Sequence, residues 1–78
     1  MTDVRQQIAE IYDQVGAPEW AALNLDALVD VLRDLSWLPE GPVVVRLAPG
    51  SDAVVVAVLA RVAGERAEGP RPLLIDAR

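Results

Sequence analysis

Apolar residues at the start of the chain recur at the spacing of a helix. They form one stripe of an amphipathic helix, made of Val4, Ile8, Ile11, Tyr12 and Val15. Thr2 or Asp3 can serve as the N-cap of this helix, because each side chain carries an oxygen that accepts a backbone hydrogen bond. Gly16 predicts its end, since glycine is the commonest residue just after a helix.

A second helix is predicted after a loop that contains Pro18. Residues 17–23 lack helical periodicity, and Asn24 is a good N-cap for a helix that continues to about Leu35. The apolar stripe of this helix consists of Leu25, Leu28, Val31, Leu32 and Leu35. We therefore expect both helices to turn one face toward the core.

The second half of the chain is rich in valine. Residues 43–47 follow a break of proline and glycine and predict a strand, because β-branched side chains favour strands. Residues 53–67 predict a helix instead, since Ser51 and Asp52 form an N-terminal signal and the segment is longer than a usual strand. Residues 72–77 predict a second strand.

The predicted order of elements is helix, helix, strand, helix, strand. A strand, helix and strand in succession imply parallel pairing through a right-handed crossover. The sequence thus predicts a small α/β domain of two layers, in which a parallel two-stranded sheet is packed by three helices. A chain of 78 residues has room for one such domain, spanning residues 1–78.

Composition limits the chemistry. The chain has no cysteine and no histidine, so it lacks disulfides, thiolate metal ligands and the commonest general base. This weighs against most hydrolase mechanisms, and we expect neither catalysis nor a cofactor or metal. No apolar run approaches the roughly 20 residues of a membrane span, and the first residues do not resemble a signal peptide. We therefore expect a cytoplasmic protein.

Negative charge is concentrated in the middle of the chain. The net charge is −5, which disfavours nucleic acid and anionic membranes as partners and favours a cationic one. Five acids and one base, Arg33, lie between residues 19 and 40, so this segment carries a net −4. The acids are Glu19, Asp26, Asp30, Asp34 and Glu40.

Three of these acids recur every fourth residue on the second helix. Asp26, Asp30 and Asp34 lie away from the apolar stripe, and each like-charged pair four residues apart costs roughly 0.2–0.5 kcal/mol. Such a face can be a solvated surface kept for solubility, or a contact surface for a cationic partner. Ligation of a divalent cation ranks lowest, because one helix cannot supply the six or more oxygens that calcium or magnesium takes.

Apolar residues accompany these carboxylates. Trp20 and Leu23 precede the helix and Val29 lies within it. Because tryptophan is a typical interface anchor, the combination favours a contact surface. The alternative is that Trp20 folds back and caps the small core.

One stretch of the chain resembles the signature of the barstar family, whose members are intracellular inhibitors of the secreted ribonuclease barnase. The matching residues are Pro18-Glu19-Trp20, Asn24-Leu25-Asp26-Ala27-Leu28, Asp30 and Leu32. The order of the later elements, with Ala67-Glu68-Gly69 before the last strand, extends the resemblance over most of the chain.

The resemblance implies that the loop and second helix block a ribonuclease active site, with carboxylates in the place of the RNA phosphate. By position, Trp20 replaces a tyrosine that packs on the enzyme, and Asn24 is an N-cap near the interface. Asp26 and Asp30 match the family's two aspartates, and Asp30 is the expected principal phosphate mimic.

The chain also departs from the family pattern. Residues 21–23 replace a tyrosine, a glycine and a glutamate, Val29 replaces a tryptophan, and a later glutamate is lost near Gly64. Glu40 is assigned to another acidic position at the rim, and the opening strand of the family is missing. These differences imply a cognate nuclease other than barnase itself.

The expected function is that of an immunity protein, an inhibitor of a basic ribonuclease or ribonuclease toxin. The alternative is an acidic module that docks onto a basic protein other than a nuclease. The expected partner-binding residues are Trp20, Leu23, Asn24, Asp26, Val29, Asp30 and Glu40. The sequence leaves the oligomeric state open.

Overall fold

The computed structural model describes residues 3–77. Its helices and strands follow the predicted order: α1 (Val4–Val15), α2 (Leu25–Asp34), β1 (Val43–Leu47), α3 (Ala53–Glu65) and β2 (Leu73–Ala77). Within these residues, β1 and β2 form a parallel two-stranded sheet, and α3 connects them. The prediction of a small α/β domain with three helices and two parallel strands is confirmed.

The first helix begins and ends at the residues that the sequence indicates. Asp3 is the N-cap of α1, and its carboxylate accepts a hydrogen bond of 3.1 Å from the backbone N–H of Arg5. The alternative cap, Thr2, lies outside the described residues. Gly16 ends the helix with φ 65°, a left-handed conformation that glycine adopts without a steric penalty.

The second helix ends without glycine. Leu35 is the C-cap of α2 with φ 49°, in the left-handed region that L-residues with a Cβ rarely adopt. This conformation costs about 1–2 kcal/mol. The Leu35 side chain is fully buried, and burial of a leucine contributes about 1.5–3 kcal/mol. Packing in the core therefore offsets the backbone strain.

The third helix is shorter than predicted. It ends at Glu65, whereas the sequence predicted a helix through Ala67. Arg66 leaves helical geometry, and its guanidinium donates hydrogen bonds to the carbonyls of Arg71 at 2.9 Å and Arg33 at 2.6 Å. These bonds to other segments hold Arg66 in a turn directly after the helix. The helix therefore ends at Glu65, although Ala67 has a high helix propensity.

The sheet has one covered face and one open face. Val45 and Leu47 of β1 and Leu73 of β2 are buried against the helices. On the other face, the register partners Val44 and Leu74 are 51% and 50% exposed. The helices therefore form one layer and the sheet the other.

One edge of the sheet is capped by a side chain. The amide of Gln14 on α1 accepts a hydrogen bond of 2.7 Å from the N–H of Arg46 and donates one of 2.9 Å to its carbonyl. These are the two backbone groups that a further strand would use. Gln14 thus attaches α1 to β1 and satisfies the middle of that edge.

The core is formed almost entirely by aliphatic side chains. Its buried members are Ile8, Ile11, Tyr12, Val15, Leu28, Val31, Leu32, Leu35, Val45, Leu47, Val55, Leu59, Val62 and Leu73. The predicted stripes of α1 and α2 supply most of them, although Val4 and Leu25 at the helix starts are only partly buried. The helix stripes predicted from the sequence therefore face the core, as expected.

Candidate functional site

The side chains predicted to contact a partner lie mainly on one exposed surface. We call it the acidic surface, and it consists of Trp20, Leu23, Asp26 and Asp30, on the loop of residues 17–23 and on α2. Trp20 is 77% exposed and Leu23 is 36% exposed. The alternative in which Trp20 caps the core is therefore wrong, because most of its ring faces solvent.

The loop that carries Trp20 is held by few hydrogen bonds. At its start, the N–H of Ala17 donates to the carbonyl of Tyr12 at 2.9 Å. Inside it, the N–H of Ala21 donates to the carbonyl of Pro18 at 3.0 Å and closes a turn. Near its end, the hydroxyl of Tyr12 donates to the carbonyl of Ala22 at 2.8 Å. Trp20 is thus presented by a turn whose flanks are tied to α1.

The start of α2 is built by Asn24 and Asp26. The side-chain oxygen of Asn24 accepts a hydrogen bond of 2.8 Å from the N–H of Ala27, which makes Asn24 the N-cap. Its amide oxygen is therefore engaged within the chain. Asp26 lies in the first turn, where the positive end of the helix dipole favours a carboxylate by about 0.3–1 kcal/mol. Asp26 has a structural role in addition to its exposure.

Asp30 has no such compensation. It is exposed, and within residues 3–77 no cationic side chain forms an ion pair with it. The pKa of Tyr12 is raised above 10.0, mainly because its phenol is partly buried and to a smaller extent because the charge of Asp30 lies nearby. Asp30 is therefore an unpaired carboxylate beside the point where the loop is tied to α1.

Arg33, the one base between residues 19 and 40, forms no ion pair with the aspartates of α2 among the described residues. Its guanidinium forms two hydrogen bonds with Glu65 of α3, at 2.8 and 2.9 Å. Arg61 adds a longer contact of 3.6 Å to the same carboxylate. The hydrogen bond from Arg33 lowers the pKa of Glu65 and raises that of Arg33. The one cation in the acidic segment is thus committed to the fold.

Two predicted contact residues lie apart from the rest. Val29 is half-buried and packs against the core, so only part of its side chain reaches the surface. Glu40 is exposed in the segment after α2, at the opposite end of a helix about 15 Å long from Asn24. The loop with Trp20 therefore joins the N-terminal end of α2, whereas Glu40 follows its C-terminal end.

The sequence did not indicate that Tyr12 and Trp37 form hydrogen bonds that attach the segments beside α2 to α1. The sequence placed Tyr12 in the core stripe, which is correct for its ring, but gave no partner for its hydroxyl. Trp37 donates its indole N–H to the carbonyl of Val15 at 2.9 Å and so ties the segment after α2 to the end of α1. Neither bond has a local sequence signal, because the partners lie 10 and 22 positions away.

Among the described residues, neither clustered metal ligands nor a membrane-spanning helix is present. Within residues 3–77, no group of three histidine, cysteine, aspartate or glutamate residues is arranged to hold a metal ion, so the structure gives the divalent-cation interpretation no support. No helix in this part of the chain is both long enough and apolar enough to cross a membrane.

The family of the chain follows from comparison with family models. The model of barstar, described as the barnase inhibitor, matches residues 1–68. The chain belongs to the barstar family. The match includes α1, the loop with Trp20, α2, β1 and α3, and therefore the whole acidic surface. No curated protein and no solved structure matches the chain significantly. Barstar family members bind and inhibit ribonucleases and are not enzymes.

Proposed function

We propose that this barstar family protein inhibits a basic ribonuclease or ribonuclease-type toxin by covering its active site with the acidic surface. The observation that carries the proposal is the exposed carboxylate of Asp30, which forms no ion pair within residues 3–77, on the helix that directly follows the loop with the exposed Trp20. A carboxylate without an ion pair in its own fold can accept hydrogen bonds from the cations of another protein. An active site that binds RNA phosphates offers such cations.

The residues of the surface have different roles in this proposal. Asp30 takes the position of an RNA phosphate, and Asp26 adds a second negative charge one helical turn away. Trp20 and Leu23 supply apolar contact area around the carboxylates, since aromatic anchors carry much of the energy of protein interfaces. Asn24 acts by fixing the start of α2 and therefore the direction of both aspartates.

The remaining predicted residues contribute less. Val29 offers only the exposed part of a half-buried side chain, and Glu40 adds charge at the rim, where screening by salt weakens its effect. The excess of acids in residues 19–40 favours rapid encounter with a basic enzyme. A protein of this kind acts as an immunity protein in the cytoplasm, where cellular RNA needs protection.

The proposal is tested by capture and activity together. The immobilised chain is exposed to a lysate of the cells that make it, and bound protein is released with high salt. We expect a basic protein that cleaves RNA and whose activity is lost again when one equivalent of the chain is added back. An Asp30→Ala resin is expected to capture much less of it, and an Asp34→Ala resin nearly as much as wild type.

The alternative function gives a different result. If the captured protein is basic, depends on Asp30 and does not cleave RNA, the chain is an acidic docking module for another kind of protein. If RNA cleavage by the captured protein continues unchanged in the complex, the inhibitor proposal is contradicted.

A further inference from the structure

The loop that presents Trp20 is bounded at both ends by a single residue of α1. The carbonyl of Tyr12 accepts hydrogen bonds from the N–H groups of Gly16 and Ala17, the latter at 2.9 Å, where the chain leaves the helix. The hydroxyl of the same residue donates to the carbonyl of Ala22 at 2.8 Å, where the chain approaches α2. Tyr12 therefore spans the loop between its first and its penultimate residue.

Few hydrogen bonds hold the interior of the loop. Within the described residues, the further hydrogen bond that closes it is the turn from Ala21 N–H to the carbonyl of Pro18, at 3.0 Å. Ala17 and Ala21 are partly buried and pack against the core, whereas Trp20 and Leu23 are exposed and contribute little packing. A loop with few internal contacts loses order readily, because fixing each backbone residue costs about 1–2 kcal/mol of conformational entropy.

The chemistry of Tyr12 suits a permanent clamp. Its ring is buried in the core with 8% exposure, which fixes the position of the hydroxyl. Burial and the nearby charge of Asp30 raise the Tyr12 pKa above 10.0, so the hydroxyl keeps its proton and remains a donor at neutral pH. The acceptor is a backbone carbonyl, which is present whatever side chain stands at position 22.

We infer that Tyr12 is a positioning residue that clamps the loop of residues 17–23 and holds Trp20 and Leu23 ready for the partner before binding. Ordering the loop in advance removes an entropic cost from association, which is the general advantage of a preorganised binding surface. This inference rests on the proposed function for its effect on binding, whereas its effect on the loop is a property of the free protein.

The test uses Tyr12→Phe, which removes the hydroxyl and keeps the buried ring. Amide hydrogen exchange of the free protein is the first readout. We expect the Ala21 amide to exchange about 2- to 10-fold faster, as for the loss of one hydrogen bond. The Ala17 amide should be affected less, because its acceptor is the backbone carbonyl that phenylalanine retains. Unchanged exchange at Ala21 would overturn the inference.

Gln14→Ala is the matched control. It also removes a side-chain attachment of α1 to a backbone, but the attachment is to Arg46 of β1 and not to the loop. We expect Gln14→Ala to leave exchange at Ala21 as in the wild type. Equal acceleration in both variants would show that any loosening of α1 frees the loop, and the clamp would be refuted.

Inhibition of barnase, the ribonuclease that the description of the matched family names, is the second readout, although the cognate nuclease is expected to be a different enzyme. Tyr12→Phe should inhibit about 2- to 10-fold more weakly than wild type, while Gln14→Ala should inhibit equally well. A loop that exchanges faster in Tyr12→Phe with no loss of inhibition would overturn the positioning role. A wild-type chain that fails to inhibit barnase counts against the proposed function for that enzyme, and the exchange rates still decide whether Tyr12 clamps the loop.

Discussion

Helix α2 carries two charged regions that differ in what their charges contact. Arg33, near its end, is bound by Glu65 of α3 through two hydrogen bonds, and Arg61 approaches the same carboxylate. Asp26 and Asp30 form no ion pair within residues 3–77, although the charge of Asp30 makes a minor contribution to the raised pKa of Arg33. We call the group formed by Arg33, Glu65 and Arg61 the arginine–glutamate cluster.

The charges of Arg33 and Glu65 stabilise the fold, whereas those of Asp26 and Asp30 are available to a partner. An arginine one turn from Asp30 could have neutralised it, yet its guanidinium faces α3. Repulsion between aspartates four residues apart costs roughly 0.2–0.5 kcal/mol per pair, and the fold leaves it uncompensated by any ion pair in the described residues. A cationic partner would neutralise this repulsion. Mutations of the aspartates should therefore mainly affect binding, whereas mutations in the arginine–glutamate cluster should mainly affect stability.

The largest expected effect is on binding by Asp30→Ala. It should weaken association with the target ribonuclease by about 2–5 kcal/mol, a range established for buried charge pairs in complexes that include barnase and barstar. The melting temperature of the free protein should stay the same or rise slightly, because like-charge repulsion is removed. Titration calorimetry and thermal melting measure the two quantities.

Neighbouring aspartates provide controls for that experiment. Asp26→Ala should cost less binding energy and some stability, because Asp26 also interacts with the helix dipole. Asp34→Ala should affect binding least, because Asp34 lies farthest along α2 from the loop. Equal losses at all three positions would indicate a diffuse effect of net charge, and the distinct role of Asp30 would be lost.

The second largest effect is expected for Trp20→Ala. With 77% of the residue exposed, its loss should leave the melting temperature nearly unchanged and should weaken binding by more than about 1 kcal/mol. Trp37→Phe is the counterpart, since it removes the indole hydrogen bond to Val15 and should lower stability with little change in binding. A Trp20→Ala protein that melts much earlier than wild type would contradict the exposed position of this ring.

A smaller effect is expected from Arg33→Ala, which breaks the arginine–glutamate cluster. The melting temperature should fall by a few degrees, because exposed ion pairs contribute modestly and a bidentate arginine–carboxylate pair is the most favourable case. Binding should be unchanged or slightly stronger, since the acidic surface loses a nearby positive charge. Binding lost to the same degree as in Asp30→Ala would erase the distinction between the two regions.

The smallest effect concerns pH. The pKa of Glu65 is lowered from 4.5 in the folded protein, mainly by the hydrogen bond from Arg33. The stability it contributes is therefore present above the unfolded value of 4.5 and is lost as pH falls through the lowered folded value. The difference in melting temperature between wild type and Glu65→Gln should be largest near neutral pH and should shrink below pH 4.5. A difference independent of pH would show that the ion pair is not its source.

Local signals in the sequence were sufficient for most of the fold. Asp3, Gly16 and Asn24 act at helix ends as predicted, because caps depend on a side chain and the backbone within a few residues. The end of α3 was predicted too late, because the guanidinium of Arg66 bonds to segments that only tertiary structure brings near.

The candidate site was predictable only in part. The spacing of the aspartates placed them on the exposed side of α2, since helical periodicity fixes the face of each residue. The exposure of Trp20 could not be decided, because it depends on the path of an irregular loop. The partner of Arg33 lies 32 positions away on α3, and the sequence offered only its neighbours as candidates.

Competition with a nucleotide for the target ribonuclease tests most directly whether the acidic surface takes the place of an RNA phosphate. The affinity of the chain for the enzyme is measured at increasing concentrations of a mononucleotide that occupies the active site. We predict that the apparent Kd rises in proportion to the nucleotide concentration, because the carboxylate of Asp30 and the phosphate require the same cations. An apparent Kd that stays constant while the nucleotide saturates the enzyme would show that both bind together, and it would contradict the account.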